Sequence, residues 1–139
     1  GIVLGFREKF EKIESYGIDI VFGNDDEAKA FTGKDNLDSA IEDLKEKSFI
    51  SVITTGADGS IVVSDGNKDI VSGEEIDPID TNGAGDMFAG SFIYAYLNGM
   101  SLNSAAKFGN FAASKVVQTF GPRLSKDGYI EVKNNIQKY

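Results

Sequence analysis

Apolar residues recur along the chain with two different periods, and the switches between them outline its elements. Phe6, Phe10 and Ile13 lie at helical spacing among Arg7, Glu8, Lys9 and Glu11, which predicts an amphipathic helix stopped by Gly17. Ile18 to Phe22 is a short, mostly apolar run with β-branched residues and predicts a buried strand. Asn24 is placed to cap a short helix through Asp25, Asp26 and Glu27 that ends near Gly33, and Leu37, Ala40, Ile41 and Leu44 mark the next helix. Phe49 to Thr54 predicts a second buried strand, followed by a turn at Gly56-Ala57-Asp58-Gly59, where Gly and Asp tolerate positive φ. Ile61-Val62-Val63 and Ile70-Val71 predict two shorter strands around Asp65-Gly66-Asn67, as in a hairpin. Pro78 demotes Ile76 to Ile79 to an edge or connecting segment. A long helix is expected from about Ala84 to Leu97, stopped by Asn98-Gly99. Another, capped by Ser101, is expected to run to about Thr119. Gly121-Pro122 breaks the chain before a last helix marked by Tyr129, Val132 and Ile136.

Strands alternating with helices predict an α/β fold with a mainly parallel, layered sheet. In such sheets ligands sit beyond the carboxyl ends of the strands. No internal repeat or low-complexity stretch interrupts the pattern. The length, 139 residues, is that of one ordinary domain. The chain opens on Gly1-Ile2-Val3-Leu4-Gly5-Phe6 with no methionine and reads as the interior of a longer protein.

Composition narrows the chemistry. The chain has neither cysteine nor histidine, which excludes disulfides, thiolate or imidazole zinc sites and Ser-His-Asp catalysis. A general base must then be a carboxylate, a lysine or a tyrosine. Twenty-two acidic against fourteen basic residues give a net charge of −8, which argues against nucleic acid as a partner. No apolar run approaches the roughly 20 residues that span a membrane. No secretory signal pattern opens the chain. A cytoplasmic protein is expected.

The segment that carries chemistry is Asp80-Thr81-Asn82-Gly83-Ala84-Gly85-Asp86-Met87-Phe88-Ala89-Gly90. It joins an extended segment to the long helix. Gly83, Ala84 and Gly85 have almost no side-chain bulk, so a ligand can come close to the backbone. The first amides of a helix have no internal partners and sit at the positive end of its dipole, which suits phosphate. Asp86 would repel a bare phosphate, yet it suits a base that takes a proton from a hydroxyl attacking that phosphate. On spacing alone, Asp86 could equally complement the helix dipole. Neither the dinucleotide G-x-G-x-x-G nor the Walker A pattern is matched.

Asp80-Thr81-Asn82-Gly83-Ala84-Gly85-Asp86 closely resembles the D-T-x-G-A-G-D signature of the ribokinase-like (PfkB) kinases, and Phe88 and Gly90 continue it. Asn24-Asp25-Asp26-Glu27 resembles that family's N-x-x-E motif, and Thr54-Thr55-Gly56-Ala57-Asp58-Gly59 its T-x-G-x-x-G turn. The motifs stand in the family's order and cover nearly the whole chain, but only about the C-terminal half of such an enzyme. The resemblance implies an incomplete ribokinase-like three-layer fold whose residues 1–139 form the ATP-binding part, without the N-terminal substrate and lid part. The segments Val21 to Ala30 and Val117 to Arg123 are most similar to adenosine-kinase-like and sugar-kinase members.

The resemblance further implies ATP-dependent phosphoryl transfer to a hydroxyl of a sugar or nucleoside. Asp86 would be the base, and the amides of Gly83, Ala84 and Gly85 the anion hole. Asn24, Thr54, Gly56, Ala57, Gly59 and Asn110 would meet the nucleotide. Asn24 and Glu27 would organise Mg²⁺, mostly through water. Asp80, Asn82 and Gly121 resemble the monovalent-cation site of many members, where K⁺ would bind, although Pro122 and Arg123 depart from a simple match. By spacing alone Asn24 and Glu27 form a helix capping box, Thr54 to Gly59 an ordinary hairpin turn, and Asn110 a polar point on a helix face. This chain by itself is expected to show little or no turnover and, with apolar surface uncovered, a tendency to self-associate. The rival reading is a non-catalytic nucleotide-binding or interaction domain that keeps the fold.

Overall fold

The computed structural model describes residues 17–74, 83–117 and 126–139. The helix expected around Phe6 to Ile13, the connecting segment at Ile76 to Ile79 and the Gly121-Pro122 break lie outside them. Four strands form one sheet in the order β1 (Ile20–Asn24), β2 (Ile50–Thr54), β3 (Gly59–Ser64), β4 (Asn67–Ser72). Between β1 and β2 run α1 (Asp25–Thr32) and α2 (Leu37–Lys45); beyond the sheet follow α3 (Ala84–Leu97), α4 (Leu102–Val117) and α5 (Lys126–Asn134). None of the described helices is long and apolar enough to cross a membrane.

β1 and β2 pair in parallel, in register from Ile20 with Ile50 to Asn24 with Thr54. Parallel neighbours need a crossover, and α1 and α2 supply it. The next two strands depart from the strand–helix alternation, because β3 and β4 are joined directly by a tight turn at Asp65 and Gly66. Both residues have positive φ (51° and 77°), the conformation for which Asp-Gly hairpins are favoured. Ser51, Val52 and Ile53 of β2 and the first five residues of β3 are all buried, so both faces of these strands are covered. Only Val71 of β4 is buried, and Lys68 and Asp69 place charge on this edge strand.

The chain divides into two compact units. One gathers the residues up to Thr54 with Ile61–Asp69, and the other Thr55–Ser60 with the residues from Ile70 onward. In the first unit Ala28, Ile41, Leu44, Phe49, Ile53, Ile61 and Val63 form one apolar cluster, edged by Phe31 and Leu37. The helical spacing of Ala40, Ile41 and Leu44 is therefore a core-facing stripe. Asn36 caps α2 by accepting from the Ser39 amide at 2.9 Å.

In the second unit α3 packs along α4. Phe88, Phe92 and Ala95 are buried on one side of α3, and Ala105, Ala106, Phe108, Ala112 and Val116 on α4. The contact is tightest at Gly109, where an added Cβ would lie 2.9 Å from two ring carbons of Phe88 and 3.2 Å from its carbonyl oxygen. Val132 anchors α5, assisted by an ion pair from Lys115 to Glu131 at 2.9 Å. The Tyr139 ring rests on Phe108 and Phe111, with centroids 6.1 and 5.6 Å away.

Gly109→Ala is expected to destabilise the protein by about 1–3 kcal/mol through overpacking, read as a lower Tm in thermal unfolding. A second expectation concerns Tyr139. Burial, with the nearby Glu74 charge and a 3.5 Å hydrogen bond to its carboxylate, raises the pKa of this phenol above its ordinary value. A value raised in the folded state means that the stabilisation is whole at neutral pH and is lost as pH rises through that value. In an ultraviolet alkaline titration one of the five tyrosines should ionise late, and Tyr139→Phe should remove that late step.

Candidate functional site

The first unit brings two of the three motifs together. Asn24 and Thr54 are the last residues of β1 and β2 and are register partners, so they stand side by side at the carboxyl end of the parallel pair. The Thr54 hydroxyl donates to the Gly23 carbonyl at 3.4 Å. Asn24 also caps α1. Its side-chain oxygen accepts from the Glu27 amide at 2.8 Å, while Glu27 Oε2 accepts from the Asn24 amide at 2.9 Å. The capping box read from spacing is therefore present. It engages one carboxylate oxygen of Glu27, which is an exposed residue. No group of three or more metal-ligating side chains occurs among the described residues. This donor set suits a hydrated ion held at one remove, as Mg²⁺ prefers, and does not suit a protein cage.

The second unit gathers the remaining nucleotide-side candidates around the end of β4. Gly56–Asp58 is a single 3₁₀ turn, in which Gly56 has φ +63° and open space where a side chain would stand. Ala57 is exposed beside it. Gly59 is different. Its φ is +114°, and a Cβ there would collide with the Val71 carbonyl oxygen and the Gly73 amide. The protein's own backbone thus requires this glycine. The Gly73 amide donates to the Asp58 carbonyl at 3.0 Å. Asn110 is buried in α4, and its amide nitrogen donates to the carbonyls of Val71 and Ser72 at 3.2 and 3.1 Å. A polar residue on a helix face proves to be a tie between that helix and the strand that supports the turn.

The start of α3 differs from those of α1, α2 and α4. Asn24 and Asn36 cap α1 and α2, and the Ser101 hydroxyl accepts from the Ser104 amide at the start of α4. At α3 the cap position is Gly83, left-handed at φ +80°, with no side-chain cap. The helical ladder opens with the Met87 amide on the Gly83 carbonyl at 3.1 Å. The amides of Ala84, Gly85 and Asp86 precede that bond and have no partner within the helix. A Cβ at Gly85 would meet nothing within 4 Å, so neither packing nor φ demands glycine there. Asp86, in the same first turn, is exposed and forms no ion pair among the described residues.

Gly83 and Asp86 open onto a cleft of about 700 Å³. Gly90 and Tyr94 continue its α3 wall, Phe108 contributes from α4, and Tyr129 and Lys133 from α5. Sequence reasoning used Tyr129 only to mark the last helix and did not single out Lys133. Neither belongs to a motif, and only the packing of α5 brings them to this cleft. Asp80, Asn82 and Gly121, the residues expected to hold a monovalent cation, lie outside the described residues.

Glycine costs a helix about 1 kcal/mol relative to alanine. Gly85→Ala should therefore leave the Tm unchanged or slightly higher, in contrast to Gly109→Ala. A clear drop in the Tm of Gly85→Ala would mean that the fold itself needs this glycine.

Residues 3–127 match the family model described as pfkB family carbohydrate kinase. The chain is 32% identical over 136 residues to an adenosine kinase of Schizosaccharomyces pombe, covering 86% of this chain and 39% of that protein. It is 36% identical over 114 residues to a ribokinase of Haemophilus influenzae, covering 78% and 37%. The crystal structure of adenosine kinase from Sinorhizobium meliloti superposes with a TM-score of 0.86 at 32% identity, over 95% of this chain and 41% of that one. The chain thus spans about two fifths of the length of these relatives, and it carries part of the ribokinase-like fold expected from its motifs. The chain belongs to the pfkB family of carbohydrate kinases.

Proposed function

We propose that this chain is the ATP-binding, phosphate-handling part of a kinase that transfers the γ-phosphoryl group of ATP to a hydroxyl of a sugar or nucleoside. The observation that carries the proposal is the start of α3. It is a helix mouth with glycine at the cap, an unneeded glycine in the first turn and an exposed carboxylate beside them. The amides of Gly83, Ala84 and Gly85 form the anion hole for the transferred group. Fixed donors of this kind act most strongly on charge that develops in the transition state. The acceptor hydroxyl gives its proton to Asp86 as its oxygen bonds to the γ-phosphorus. The bond from that phosphorus to the bridging oxygen breaks, and ADP leaves.

Thr54, Gly56, Ala57 and Gly59 lie under the ribose and phosphates, and Asn110 stands on the adenine side. Asn24 and Glu27 would hold Mg²⁺ through water, and the ion would supply positive charge to the phosphate oxygens. From the family resemblance, Asp80, Asn82 and Gly121 would hold a monovalent cation such as K⁺. The acceptor is gripped by the portion of the fold that this chain does not span, in the compartment where ATP and free sugars meet, the cytoplasm.

In a protein carrying the whole domain, Asp86→Asn should lower kcat about a hundredfold or more, with ATP affinity nearly unchanged. Coupled-enzyme turnover assays and nucleotide titration would measure the two quantities. In the same assays this chain alone should bind nucleotide weakly and give no turnover. Equal turnover by Asp86→Asn and wild type would remove Asp86 from the role of base.

A further inference from the structure

We propose that Asn110 is a positioning residue for the nucleotide's phosphates. Through the end of β4 it holds the Gly56–Asp58 turn in place, and it acts on a ligand only by way of that turn. Its side chain is 7% exposed. The amide nitrogen donates to the Val71 carbonyl at 3.2 Å and to the Ser72 carbonyl at 3.1 Å. A carbonyl oxygen only accepts, and an amide NH₂ has two hydrogens, so both are committed to β4. Asn110 has no hydrogen left to give a phosphate.

The two carbonyls belong to the last residues of β4, next to the turn. A Cβ at Gly59 would strike the Val71 carbonyl oxygen, so the amide of Asn110 and the bare backbone of Gly59 meet the same atom. Gly73 comes next. Its amide donates to the Asp58 carbonyl at 3.0 Å, and a Cβ on it would press on the Ala57 carbonyl. Within the turn the Thr55 amide donates to the Gly59 carbonyl at 2.9 Å, and the Asp58 amide to the Thr55 carbonyl at 3.3 Å. Gly59 and Ser60 are buried, whereas Gly56, Ala57 and Asp58 are exposed. The turn is thus fastened on its inner side and open on its outer one. A glycine-containing turn loses much conformational freedom when it is ordered. A ligand binds more tightly to a turn that the fold has already ordered. The inference rests on the reading of this turn as the seat of the ribose and phosphates.

Asn110→Asp keeps the shape of the side chain, removes both donors and sets a carboxylate oxygen against the two carbonyls. In hydrogen exchange on this chain, the amides of Thr55, Asp58 and Gly73 should exchange at least about tenfold faster, with those of α2 unchanged. In a protein carrying the whole domain, ATP and inorganic tripolyphosphate, both as Mg²⁺ complexes, should each bind about tenfold more weakly. KM for ATP should rise by a similar factor while kcat stays nearly the same. Should Asn110→Asp fail to fold, Asn110→Ser removes the amide without adding charge and is read in the same way. Unchanged exchange at the three amides would overturn the inference. So would faster exchange with unaltered tripolyphosphate affinity. Weakening confined to ATP would overturn it too, and would assign Asn110 a direct contact with the base. If the wild-type protein bound neither ligand, the reading of the turn as a phosphate seat would fall and the role in affinity with it. Exchange would then still decide whether Asn110 holds the turn.

Discussion

The candidate site in the second unit depends on one close contact, the ring of Phe88 seated against the bare backbone of Gly109. Phe88 lies two residues after Asp86, and Gly109 immediately precedes Asn110. The contact therefore fixes the axial position of the uncapped helix start against the helix whose amide side chain holds the end of β4. From Asn110 the constraint passes through the Val71 and Ser72 carbonyls to Gly73, and from Gly73 to the turn at Asp58. Each link is short-range and steric or hydrogen-bonded. Together they hold the glycines of this unit to a defined geometry.

The glycines do different work, which explains why one residue type recurs. Gly59 and Gly109 are required by close approach within the protein itself, and Gly66 by the backbone twist of a hairpin. Gly85 satisfies none of these demands. In a folded chain an unexplained loss of helix propensity points outward, to something the backbone must let in. The starts of α1, α2 and α4 contrast with it, since each is capped by an Asn or Ser side chain.

Much of this was legible in the sequence because it is written locally. The bounds of α3, the capping box of Asn24 and Glu27 and the hairpin at Asp65 and Gly66 each depend on residues a few positions apart, where periodicity and turn chemistry act. The resemblance to the pfkB motifs likewise lay in contiguous runs. What escaped was long-range. Nothing near Asn110 announces that its amide will cross to β4, and nothing near Gly59 announces that its missing Cβ makes room for Val71 and Gly73. The pairing of Asn24 with Thr54 depends on the register of two parallel strands, which no local signal sets. The change from strand–helix alternation to a direct β3–β4 connection was readable at its turn.

The path of the chain between its two compact units has a practical result. The polypeptide passes from one to the other after Thr54, returns after Ser60 and leaves again after Asp69. Neither body is a continuous stretch, so no single cut releases one intact. A protease or a truncation placed between them would damage both, and an excised half could not be handled as a separate module. The tip at Asp65 and Gly66, an exposed turn inside one body, is the kinder place to insert a tag or reopen the ends.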